Sequence, residues 1–502
     1  MSIFYQSETR TFQLDTARTS YIFRVYEGEY LFHEYWGRRI RPADLTRLHR
    51  SYASGFSPNW AGAAAAEHSL DLLEAEYPFY GSGDYRSPAV EAAFTDGSRL
   101  LDLKYASHTI LPAKPPLPGL PSLDGGDGTL EVTLTDRPTG LTVVVSYTVY
   151  EDSDVIARHA RVVNTTGDIV RVNRALSASV DLPSMDYDLI GLYGAHTRER
   201  QVDRRPLRHG MQALESRRGA SSHQMNPFLA LAAPNADETA GEVYAAALIY
   251  SGNFLAAAEA DGFNTTRMQI GLNPFDFSWK LEPGESFVTP EAVLTYSAGG
   301  LGRMSRNFHR VFRGHLGRVK ETARPNPIVI NNWEATYFDF DEEKLCALIR
   351  SCRGLGIDTF VLDDGWFGRR DDDTTSLGDW YVHRGKLPNG LKPVIDCCRE
   401  NGMKFGLWFE PEMVSEDTDL YRAHPDWAIK KEGRPFCRGR NQLVLDLSRP
   451  EVTAYLKETI GRLLSENDIA YVKWDMNRHL TDLYSAGLPA DRQPGLAPRY
   501  ML

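Results

Sequence analysis

No stretch of this chain approaches the ~20 consecutive apolar residues that a membrane span requires. Its first ten residues, Met1 to Arg10, lack a basic segment followed by an apolar one, so no secretory leader is expected and the cytoplasm is the expected setting. Asn164-Thr165-Thr166 and Asn264-Thr265-Thr266 match glycosylation acceptors but would not meet that machinery. Cysteine is scarce. Cys346, Cys352, Cys397, Cys398 and Cys437 are odd in number, fall in the last third and lack the paired spacing of a zinc or redox site, which points to structural thiols. Positive charge is short too: a net charge of -11 argues against nucleic acid or an anionic membrane as partner, because both need a basic face. Phosphate-cradling loops are missing as well. No Gly-x-x-x-x-Gly-Lys occurs, and Gly300-Leu301-Gly302 lacks a third glycine and a preceding parallel strand.

What is present reads as a soluble globular protein of two or more domains, with 502 residues, 42% hydrophobic and 25% charged. Up to about residue 300 the pattern is strand after strand with polar turns. Residues 140–150 and 155–163 are rich in β-branched and aromatic side chains, and 164–168 breaks the run before Ile169-Val170-Arg171-Val172, as expected for a hairpin. This is a β-sandwich pattern. Around Gly299-Gly300 the period changes, and Met304, Phe308, Val311 and Phe312 fall at helical spacing, which predicts a linker helix. His309 and His315 are six apart and cannot share a metal on one helical face.

After Pro325 the pattern is β/α. Strands are expected at 328–334, 359–366, 404–412 and 469–478, with helices at 341–355, 391–401 and 451–464 between them. Strands alternating with helices imply a parallel sheet, and polar groups at every strand's C-terminal end imply a barrel. The expected domains are a β-sandwich with its linker helix over 1–318 and the first half, about four β/α units, of a (β/α)8 barrel over 319–502. Half a barrel leaves open edges, so the polypeptide is expected to continue in its natural context.

In Tyr471-Val472-Lys473-Trp474-Asp475-Met476-Asn477-Arg478, alternation places Lys473, Asp475 and Asn477 on one face and Val472, Trp474 and Met476 on the other. The expectation is a strand buried along its length that emerges at a mouth; the bland alternative is an edge strand with surface charges. Trp333, Asp363, Asp364, Trp408, Glu410 and Glu412 should reach the same rim. Carboxylates, amides and indole rings together suit a sugar, whose hydroxyls need directional partners while its C–H face packs on aromatic rings. Asp475 beside the Lys473 ammonium would stay ionised and could attack an anomeric carbon. A retaining glycosidase needs a second carboxyl group about 5 to 5.5 Å away, for which Glu410, Glu412 and Asp364 are all open. The run Asp371-Asp372-Asp373 reads as a solvated loop.

Taken together, the segments 331–338, 362–368, 406–413 and 473–478, with 215–224 and 273–277 in the sandwich, resemble the bacterial α-galactosidases of glycoside hydrolase family 36. The resemblance runs along the whole chain. It implies an N-terminal β-supersandwich, a (β/α)8 barrel, a small C-terminal β-domain, and retaining hydrolysis of terminal α-linked galactose without metal or cofactor. By motif, Asp475 becomes the nucleophile. Asp363 and Asp364 take the galactose 4- and 6-hydroxyls, Lys473 and Arg440 contact ring hydroxyls, Trp333 and Trp408 line the pocket, and Asn477 supports the nucleophile's loop; Glu410 and Glu412 become pocket or structural residues.

In that family the acid/base Asp and the loop that reads the 2-hydroxyl come from later strands, so these 502 residues alone are expected not to turn over α-galactosides. An α-N-acetylgalactosaminidase, a galactosyltransferring member and a non-catalytic galactoside-binding or assembly protein are the competing readings. Members tend to be homotetramers whose sandwich loop reaches a neighbour's pocket, but the alanine-rich stretch 59–66 departs from the charge expected there.

Overall fold

The computed structural model describes every residue except 1, 42–44, 46–55, 61, 64–68 and 318–324. Residues 61 and 64–66 of the alanine-rich stretch therefore lie outside the described ones. The chain divides into two compact units, Met1–Lys320 and Glu321–Leu502. Among the described residues no helix is long and apolar enough to cross a membrane.

Every ladder between the described strands of the first unit is antiparallel. A four-stranded sheet spans Ile3–Gln6 to Leu31–Arg38, and a ten-stranded and a six-stranded sheet pack face to face behind it. Thr142–Tyr150 and Val155–Val163 form a hairpin from Thr142 opposite Val163 to Tyr150 opposite Val155. The break at 164–168, by contrast, is not a hairpin. The next strand, Val170–Leu182, pairs in the six-stranded sheet, so the chain crosses between layers there. The Asn164 amide drives that crossing by donating to the carbonyls of Asp168 and Leu281 at 2.8 and 3.0 Å, which closes the corner instead of a two-strand turn.

The linker helix runs Gly300–His315, with Met304, Phe308 and Val311 buried against Val243, Ala245 and Val293. Gly300 starts it at φ 73°, and a Cβ there would stand 2.3 Å from the Asp237 carbonyl. His309 faces solvent and His315 meets the Asp124 carbonyl at 3.0 Å.

One buried carboxylate ties the three sheets. Glu76 accepts from Tyr21 and Tyr147 hydroxyls at 2.7 and 2.8 Å, meets His33 at 3.1 Å, and pairs with Arg158 at 2.8 Å, while Arg158 also donates to the Ser179 carbonyl at 2.9 Å. Burial pushes the Glu76 carboxyl up, but Arg158, His33 and Tyr21 outweigh it and leave the group below its usual range.

In the second unit four strands lie side by side in chain order, all parallel: β1 (Val329–Asn331), β2 (Thr359–Leu362), β3 (Lys404–Phe409) and β4 (Tyr471–Trp474). Between them run helices Glu342–Ser351, Lys392–Glu400 and Pro450–Glu466. Asp341 caps the first by accepting from the Lys344 N–H at 2.8 Å. Leu345, Ile349, Val394 and Val452 bury one face of these helices against Phe360, Leu362, Phe405 and Leu407. Four cysteines are buried and Cys437 is exposed; burial pushes the Cys346 and Cys398 thiols up to about 12.

Each strand stops earlier than its sequence pattern suggests, at Asn331, Leu362, Phe409 and Trp474, because the polar residues that follow turn out of the sheet. Within the described residues β4 is not buried along its length. Tyr471, Val472 and Trp474 are 37%, 38% and 54% exposed, since β4 pairs with β3 alone among the described strands.

The Glu76 cluster gives a first prediction. Glu76→Ala leaves Arg158 buried without its counter-charge, so denaturant unfolding of the full chain should show a loss of about 3 to 5 kcal/mol. A change under about 1 kcal/mol would show that the cluster is dispensable.

Candidate active site

The side chains expected at the rim stand where the parallel strands end. After β1, Asn331 accepts from the Trp333 N–H at 2.7 Å and donates its amide to Asp363 Oδ2, while the buried Asn332 accepts from the Asp363 N–H at 2.8 Å. Trp333 thus lies in a helical turn, Trp333–Thr336, edge-on to Tyr337 and Phe338 at 5.2 and 5.1 Å.

After β2, the Asp363 and Asp364 carboxylates have separate partners. Asp363 Oδ2 pairs with Lys473 Nζ at 2.8 Å, so β4 reaches β2 over the end of β3. Lys473 therefore neutralises Asp363, and not Asp475 two residues along its own strand as expected. The two share a face, but the long lysine stem lets the ammonium find a buried carboxylate across the sheet. Asp364 is gripped by Arg370, with Nε and Nη2 each 2.8 Å from one carboxylate oxygen. Such a bidentate fork fixes the plane of the carboxylate as well as its charge. Burial still holds the Asp364 carboxyl above its usual range, with Arg370 opposing.

After β3 and β4 the contacts are dense. Asp475 Oδ2 accepts from Trp408 Nε1 at 3.1 Å and from the Asn477 amide at 3.0 Å, and Oδ1 accepts from the Met476 N–H at 3.1 Å. The Asp475 N–H donates to the Phe409 carbonyl at 2.8 Å. Trp408 is 1% exposed and stacks on Phe367, 6.1 Å between centroids at 15°; it presents its N–H to Asp475 rather than an open ring face.

Glu410, also buried, accepts on Oε1 from the Asn477 N–H at 2.6 Å and Gln442 Nε2 at 2.8 Å. Glu412 accepts from Trp474 Nε1 at 3.0 Å and the Tyr500 hydroxyl at 2.6 Å. Arg440 is exposed, at φ 51° in the turn Gly439–Gln442, and next to it Asn441 donates to Asp373 at 3.4 Å. The acidic run is therefore partly engaged. Asp371 also pairs with Lys386 at 3.3 Å.

Of the residues expected at the rim, Asp363 and Lys473 meet directly, as do Trp408, Asp475 and Asn477, while Trp333 is joined to Asp363 through Asn331. Sequence reasoning missed Arg370 and Gln442 as members of the site. An arginine six residues past a buried Asp-Asp pair was the available signal for the first; Gln442 had none beyond its place beside Arg440.

Comparison with known proteins decides the family. A family model described as Glycosyl hydrolase family 36 N-terminal domain matches residues 29–282, and one described as Melibiase matches 286–502. The chain belongs to glycosyl hydrolase family 36. Within it, the alpha-galactosidase AgaA of Geobacillus stearothermophilus is 51% identical over 100% of this chain, which spans 69% of that protein. The alpha-galactosidase Mel36A of Lactobacillus acidophilus is 41% identical over 99% of the chain and 69% of its own length. Among solved family 36 structures, AgaB of Geobacillus stearothermophilus superposes with a TM-score of 0.96 at 51% identity, covering 100% of this chain and 69% of that one.

The Asp364–Arg370 pair can be tested by stability. With Arg370→Met the buried carboxyl rises further, and a group raised in the folded state contributes stability that is present below its unfolded value and lost as pH rises through the folded one. Denaturant unfolding should show a loss of about 3 to 5 kcal/mol at pH 8 that shrinks at pH 4. A loss independent of pH would mean that Arg370 acts through packing alone.

Proposed function

We propose that this chain carries the sugar pocket and nucleophile of a retaining α-galactosidase, built on the first half of a (β/α)8 barrel. The observation that carries the reading is the Asp475 carboxylate. Two N–H donors hold Oδ2, whereas Oδ1 has a single donor and keeps a lone pair for attack. Asp363, Asp364, Lys473 and Arg440 offer acceptors and donors to galactose hydroxyls, and Trp333 offers a ring to its apolar face. The AgaA relative has been solved in complex with raffinose and with stachyose, which supports α-galactosides as the substrate class.

In this reading Asp475 Oδ1 forms a bond to the anomeric carbon as the bond to the leaving oxygen breaks, and an acid protonates that oxygen. Water then attacks the anomeric carbon, gives its proton to the same group, and releases Asp475. Asp364, Glu410 and Glu412 are the candidates here for the acid. Asp364 is clamped by Arg370, Glu412 by Trp474 and Tyr500, and Glu410 is 1% exposed, so none of them presents a proton at the mouth. The reading assigns that role to a residue outside these 502, on a later barrel strand.

Asp475→Asn removes the nucleophilic charge with little change of shape. Hydrolysis of melibiose by the full-length protein should fall more than about a hundredfold with the fold intact. Activity within tenfold of the parent would remove Asp475 from this role.

A further inference from the structure

Glu410 follows β3 directly and takes no part in the chemistry above, yet it sits in a closed ring of contacts. Its Oε1 accepts from the Asn477 N–H at 2.6 Å, and Asn477 donates its carboxamide to Asp475 Oδ2 at 3.0 Å. The next residue, Arg478, donates from Nη1 to the Gln442 carbonyl at 2.7 Å, and the Gln442 amide returns to Glu410 Oε1 at 2.8 Å. The loop that leaves β4 is thereby tied at two successive residues to one buried carboxyl oxygen.

We propose that Glu410 is a positioning residue for the nucleophile. By holding the Asn477 N–H it sets the Asn477 carboxamide, which aims Asp475 Oδ2 and with it the attacking Oδ1. This inference rests on the reading of Asp475 as nucleophile. What the role requires is an oxygen acceptor at that point, not a charge: two donors converge on Oε1, and Glu410 and Asp475 share Asn477 between them. Burial, with the Asp475 charge adding to it, holds the Glu410 carboxyl above its usual range despite its hydrogen bonds. An amide of the same length should therefore serve, and a shorter carboxylate should not.

The test compares Glu410→Gln and Glu410→Asp in the full-length protein by steady-state kinetics on an aryl α-galactoside and on melibiose. Glu410→Gln should keep kcat within about threefold. Glu410→Asp, which withdraws the acceptor by a methylene, should lower kcat by up to about a hundredfold, equally on both substrates and with KM little changed, as expected for ~1 Å of misplacement. Asn477→Ala deletes the carboxamide but keeps the N–H on Glu410, and should show the same kcat loss even if the Asp variant does not fold. The reverse ordering of Gln and Asp, a loss confined to melibiose, or near-parental kcat in both Glu410→Asp and Asn477→Ala would overturn the proposal. If Asp475→Asn is inactive while the Glu410 and Asn477 variants are unaffected, only this inference falls; an active Asp475→Asn sinks the reading beneath it.

Discussion

Three consecutive residues at the end of one strand hold two residues, Asp475 and Asn477, at the end of the next. Trp408 donates to the Asp475 side chain, Phe409 accepts from the Asp475 main chain, and Glu410 accepts from the Asn477 main chain. The rest of the site depends on this grip, because among the described strands β4 pairs with β3 alone. Rigidity comes from the β3 side. The Trp408 carbonyl accepts from Trp366 Nε1 at 2.9 Å, and its ring lies among Phe367 and Trp380 in the buried aromatic cluster. A carboxylate anchored to such a cluster keeps its direction without reorganisation when it reacts.

The carboxylates described above follow one rule: each is either matched by a cation in good geometry or met by N–H and O–H donors. Asp363 has Lys473, Asp364 has Arg370, and Glu76 in the other unit has Arg158. Glu410 and Asp475 have donors instead, and share Asn477 between them. Such pairs add little net stability over an apolar core, but removing one partner is costly. They define where the oxygen atoms stand, which a sugar pocket needs more than it needs stability. Close strand packing serves the same end. A Cβ on Gly406 of β3 would meet Val361 Cγ2 at 2.9 Å and Tyr471 Cβ at 3.1 Å, so β2 and β4 can approach β3 from both sides.

The alternation of β and α elements after residue 325 was legible, since helix caps and apolar periodicity are local properties, and so were the groups at the strand ends. Pairing was less so. Lys473 and Asp475 share a face in sequence, yet the ammonium goes to Asp363, 110 residues away, a choice made by packing across β3. Trp408 reads as a sugar platform from its type, but burial against Phe367 leaves its N–H as the useful atom. The layer crossing at 164–168 looked like a hairpin because polar turns of both kinds use the same residues; only the Asn164 bonds separate them. Arg370 and Gln442 act through loops whose approach no periodicity announces.

The central claim is that Asp475 forms the bond to the sugar, and capture of that bond tests it most directly. The full-length protein would be treated with a fluorinated α-galactosyl fluoride that slows release of the covalent intermediate, then digested and examined by mass spectrometry. The account predicts a single fluorogalactosyl adduct on the peptide Trp474–Arg478, with its fragment ions placing the sugar on Asp475. An adduct on Glu410, on Glu412 or on any other carboxylate would contradict it.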